Sequence, residues 1–116
     1  MTKTSQDINE ICTRYAKALI LSSSNEDELK IVKENFMDFN KILKNSQELS
    51  QFVKNPLINS QKKSRALSSI CKSLSYIESF QGFVKILTKH GKISFFEKVF
   101  LKFNDIIDEN NGITEI

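Results

Sequence analysis

The chain has 116 residues, 40% of them hydrophobic and 27% charged, with 17 Lys and Arg against 14 Asp and Glu for a formal net charge of +3. That is material for one domain with its own core, and so mild a basic excess does not mark a nucleic-acid binder. The most notable apolar run, Ala18 to Leu21, is far below the ~20 residues a membrane span needs, and no basic-then-apolar opening resembles a signal peptide.

Asp7 is the expected N-cap of a first helix running from about Ile8 to Ser22. With each residue turned by about 100°, its apolar face is too wide: Ile8, Ile11, Cys12, Tyr15, Ala18, Leu19 and Ser22 fall within about 60° of Tyr15, and Ala16 and Ile20 extend the surface further. A helix resting on one core needs a stripe of about 100°. This one is therefore central, or it faces a core on one side and something else on the other. Ser22-Ser23-Ser24-Asn25 ends it, because short polar side chains compete for backbone hydrogen bonds.

Asn25 then caps a second helix that opens with Glu26, Asp27 and Glu28, acids favoured by the helix dipole. Leu29, Val32, Phe36, Phe39 and Leu43 recur at spacings of three and four, the pattern of a long amphipathic helix. Ser46 to Val53 predicts a short third helix that Asn55-Pro56 terminates, with Leu57 and Ile58 turned inward. Ser60 to about Leu74 forms the fourth helix, with Ala66, Leu67, Ile70, Cys71 and Leu74 apolar. The fifth, about Ile77 to Lys89, carries Phe80, Phe83, Val84 and Leu87 and stops at His90-Gly91, Gly91 being a good residue just past a helix end. Ile93, Phe96, Val99, Phe100, Phe103 and Ile107 define the sixth.

The expected fold is an all-α, six-helix bundle over residues 1–110. Ile113, Thr114, Glu115 and Ile116 alternate as an extended segment begins, so residues 111–116 read as the start of a linker or second domain whose remainder is missing. Cys12 and Cys71 lack CxxC spacing and a histidine cluster, and read as small buried hydrophobes in a reducing compartment.

Chemistry is sparse. The three glycines, Gly82, Gly91 and Gly112, make no phosphate-cradling motif, and His90 has no second ligand at metal spacing. Asp105, Asp108 and Glu109 read as a solvated helix end. Lys62, Lys63 and Arg65 are the basis of an alternative, a small helical nucleic-acid-binding module, but no aromatic residue is interleaved with them. What stands out besides the first helix is Ile86, which lies apart from the apolar face of the fifth with Gly82, Ser79 and His90 around it. By pattern alone that is either a shallow groove wall or a slightly wider core stripe.

Arg14-Tyr15-Ala16-Lys17-Ala18-Leu19, Asn55-Pro56-Leu57-Ile58, His90-Gly91-Lys92-Ile93 and Asn111-Gly112-Ile113 occur in this order across nearly the whole chain. Together they resemble the N-terminal domain of the delta subunit of bacterial F-type ATP synthase, a relative of the mitochondrial oligomycin-sensitivity-conferring protein. His90-Gly91-Lys92-Ile93 stands where that family often has an Asn-Gly-Arg-Leu turn. The resemblance implies a non-catalytic, cofactor-free bundle that sits on the catalytic head and joins it to the peripheral stalk, at the cytoplasmic face of the bacterial inner membrane but not inserted in it. It further implies that helices one and five receive the N-terminal helix of an alpha subunit, through Tyr15, Ala18, Ser22, Gly82, Ile86 and His90, with Ile11, Arg14 and Lys89 as rim. The stalk's b subunits would be met by the missing second domain. On this reading the wide first helix divides into Cys12, Ala16, Leu19 and Ile20 for the core and Ile11, Tyr15, Ala18 and Ser22 for the partner.

Overall fold

In the computed structural model, which describes residues 5–110, six α-helices follow one another: α1 (Ser5–Ser22), α2 (Glu26–Asn45), α3 (Gln47–Lys54), α4 (Ser60–Ser73), α5 (Glu78–Lys89) and α6 (Phe96–Asn110). A short 3-10 turn, Ile93–Phe95, leads into α6. The architecture is an all-α bundle, as the periodicity predicts.

Local chemistry sets the helix boundaries. Asn25, Ser46 and Asn59 each stand in extended backbone and accept the amide of the residue three positions on, at 2.8, 3.1 and 2.8 Å, which satisfies one of the orphan donors of the helix start. Ser46 also ends α2, its own amide donating to the Ile42 carbonyl at 3.0 Å. One residue thus closes one helix and opens the next, and the loop between them needs no other. At the end of α5, Gly91 takes φ +71°, the amide of Gly91 donates to Thr88 and that of Lys92 to Leu87 at 3.0 and 2.8 Å. This is a Schellman ending. The end of α4 repeats the pattern with Ser75 at φ 58°, where Ser75 and Tyr76 donate to Lys72 and Cys71.

The core is organised around Phe36 of α2. Its ring is fully buried and meets Phe80, Phe83, Phe96, Phe100 and Phe103 with centroids 4.8 to 5.4 Å apart, tilted or edge-on, as ring quadrupoles prefer. One long amphipathic helix thereby gathers α5 and α6. Around it, α1 packs chiefly on α6 and α4 chiefly on α5. Cys12, Ala16 and Leu19 are buried on this core and Ile20 packs partly against it. Cys71 is also buried, and both cysteines are free thiols.

Four expectations need correction. Helix α1 begins at Ser5, so Asp7 is a first-turn residue, where its charge suits the dipole, and not the cap. Leu57 is 91% exposed, because the Asn55 side chain accepts the Leu57 amide at 2.9 Å and this turn aims Leu57 outward while Ile58 is half-buried. Leu74 is 42% exposed; it is the C-cap of α4 and leaves the helical register. Ile93 is buried but belongs to the 3-10 turn, and α6 proper starts three residues later. Residues 111–116 lie outside the described residues.

Candidate partner-binding groove

The C-terminal end of α5 comes to rest beside the middle of α1. Tyr15 is half-buried, with its hydroxyl outward, and that hydroxyl is joined to His90 Nδ1 by a hydrogen bond of 2.7 Å, its direction following the imidazole tautomer. The two rings lie 6.0 Å apart at 55°. Burial pushes the Tyr15 phenol above its ordinary pKa, with Arg14 pulling more weakly the other way, so the phenol stays neutral at physiological pH. His90 is held here by the Schellman ending that follows it, and neither residue touches a third group at metal-ligand geometry; among the described residues no group of three or more His, Cys, Asp or Glu converges on a metal position.

This bridge floors a groove of about 430 Å³ lined by Ile11, Arg14, Tyr15, Ala18, His90 and Lys92. Ala18 is exposed and contributes only a methyl group, Ile11 is half-buried, and Arg14, His90 and Lys92 ring the opening with polar and charged atoms. The structure therefore gathers five of the nine residues named from the sequence, and adds Lys92. The sequence displays Lys92 in the turn after α5 but not its place in the groove, because beyond the helix end the helical repeat no longer gives a direction; the positive φ of Gly91 turns it back.

The other four are placed elsewhere. Ser22 is exposed at the end of α1, its hydroxyl donating back to the Leu19 carbonyl at 2.7 Å. Gly82 and Lys89 line a different groove, between α4 and α5. Ile86 is 49% exposed and, at 100° per residue, stands on the ridge of α5 between Gly82 and Lys89 on one flank and His90 on the other. It is one of several large apolar side chains left in water, Leu21, Leu57 and Leu101 among them, and what sets it apart is its place beside the α1–α5 groove.

Of the residues behind the nucleic-acid alternative, Lys62 and Arg65 are exposed and Lys63 is half-buried on the first turns of α4. Among the described residues no helix is long and apolar enough to cross a membrane.

The family model for the ATP synthase delta (OSCP) subunit matches residues 11–116. The chain belongs to the ATP synthase delta (OSCP) family. Among curated relatives, the ATP synthase subunit delta of Chlorobaculum tepidum is 33% identical over 100 residues, 86% of this chain and 55% of that protein. Subunit delta of Geobacter metallireducens is 26% identical over 105 residues, covering 90% of this chain and 58% of its own length. The mitochondrial ATP synthase subunit O of Ipomoea batatas is 24% identical over 98 residues, 84% of this chain and 40% of that protein. The chain spans about half the length of the curated relatives it matches. The matched region takes in both walls of the α1–α5 groove, from Ile11 to Lys92.

Proposed function

We propose that this chain is a stator component of an F-type ATP synthase, without catalytic activity of its own, that seats the N-terminal helix of an alpha subunit along α1 and α5. Membership of the delta (OSCP) family and the names of the relatives support the stator role. The observation that carries the finer reading is the open groove floored by Tyr15 and His90, with half-exposed Ile86 beside it.

The mode of recognition is helix in groove. Ala18 lets a visiting backbone come close, Tyr15 offers a ring face with a polar tip, and Ile86 supplies the apolar anchor from the ridge. Arg14 and Lys92 fix orientation at the mouth, and Ser22 extends the seat along α1. The task is to hold the catalytic head still against the turning shaft, which needs a rigid contact and no turnover. A second domain, met by the b subunits of the peripheral stalk, completes the link to a membrane complex whose surface this domain does not enter.

Calorimetric titration with a peptide carrying the alpha subunit's N-terminal sequence tests this. Covering the exposed half of Ile86 is worth about 1 kcal/mol, so Ile86→Asp weakens binding by fivefold or more, on the order of that energy plus the cost of burying a charge. Ala18→Trp fills the groove and weakens binding further. Both positions are open enough for the helical circular dichroism to remain unchanged, and unaltered affinity in both variants rejects the groove.

A further inference from the structure

The second groove, between α4 and α5, has a volume of about 730 Å³ and a different chemistry. Arg65 and Lys72 stand along its α4 wall and Lys85 and Lys89 along its α5 wall, with Glu78 the one carboxylate among its lining residues. Helix α4 contains no acid at all. Four of the chain's 17 basic residues and one of its 14 acids line this groove, so the remaining basic and acidic residues balance and the formal net charge of +3 equals that of this face. None of the four cations forms an ion pair among the described residues, where the pair found is Lys44 with Glu97. The floor is small and polar: Ser64 is buried, Ser68 is half-buried, and a Cβ placed on Gly82 would meet nothing within 4 Å.

We propose that this groove is a second docking site, independent of the one between α1 and α5, and that it takes an acidic helical segment of a partner polypeptide. The trough between two helical rods admits a third rod and recesses its floor from a flat lipid surface, while the absence of any aromatic lining residue gives nucleic-acid bases nothing to stack on. Arg65 and Lys72 are two turns apart, about 10.5 Å, and Lys85 and Lys89 one turn, about 6 Å. Carboxylates seven apart on one flank of the visitor, and four apart on the other, meet both rows.

The test titrates the whole chain, isotope-labelled, with an Ala/Glu helical peptide of about 20 residues and with its Ala/Gln twin, reading amide shifts by NMR. The Glu peptide is expected to shift Arg65, Ser68, Lys72, Gln81 and Lys85 in a salt-sensitive way, and the Gln twin to shift none. Arg65→Glu with Lys85→Glu weakens binding about tenfold, the sum of two exposed pairs reversed; Lys72→Glu with Lys89→Glu reads the same contact from the other end. Shifts scattered over the surface, full affinity in both double variants, or stronger binding to phosphatidylglycerol vesicles or single-stranded DNA overturns the proposal. Shifts confined to Ile11 and Ala18 overturn it too, while leaving the α1–α5 seat standing.

Discussion

Phe36→Ala should be the most damaging single truncation in the bundle. The side chain is fully buried and its ring contacts five others, so its loss removes both the transfer energy of a buried Phe and the support of every ring around the cavity. Truncations of this kind cost about 3 to 5 kcal/mol, against a total stability on the order of 5 to 15 kcal/mol for a domain. Phe36→Leu restores much of the volume but none of the ring pairs, each worth about 0.5 to 1.5 kcal/mol and not additive, and should fall between parent and Ala. Urea denaturation followed by far-UV circular dichroism measures both. With a slope of about 1 to 3 kcal/mol/M, Phe36→Ala moves the midpoint down by about 2 M with the slope unchanged. A loss below about 1 kcal/mol, or equal losses for Leu and Ala, would show that the ring cluster does not centre on Phe36.

The two Schellman endings make opposite predictions. Ser75 holds a left-handed conformation that glycine adopts freely, so Ser75→Gly should raise stability by about 0.5 to 1 kcal/mol, whereas Gly91→Ala should lower it by about 1 kcal/mol and weaken alpha-peptide binding by displacing His90; a melting-temperature comparison of the two decides. Alkaline pH should destabilise the fold. Burial pushes the Cys71 thiol from 9.0 up to about 12, and burial, the hydrogen bond to Asp38 and the charge of Asp38 raise the Tyr76 phenol well above its ordinary 10.0. The folded chain keeps protons that the unfolded chain releases, so the stability is whole below about pH 9 and drains as pH rises toward the folded values. Urea midpoints measured from neutral pH upward should fall above about pH 9, and less so in Tyr76→Phe; a flat profile would refute the burial of both groups.

Much of the fold was legible because its determinants are local. Asn25 and Ser46, the stripe Leu29, Val32, Phe36, Phe39, Leu43, and Gly91 after α5 all act within four residues of chain, and a sequence displays them directly. The direction of Leu57 is not legible in this way: an apolar residue after a proline suggests burial, while the side chain of Asn55, two residues back, sets its direction through a single hydrogen bond.

The site divides along the same line. The sequence by itself determined that α1 has too wide an apolar face and that Ile86 stands off the core stripe of α5, since both follow from the helical repeat alone. Only the tertiary structure decided that Tyr15 and His90, 75 residues apart, meet across one groove, while Gly82 and Lys89 turn toward the cations of α4. A helical wheel gives the direction a residue faces on its own axis. Which neighbour stands in that direction depends on how Phe36 and its partners set the helices against one another.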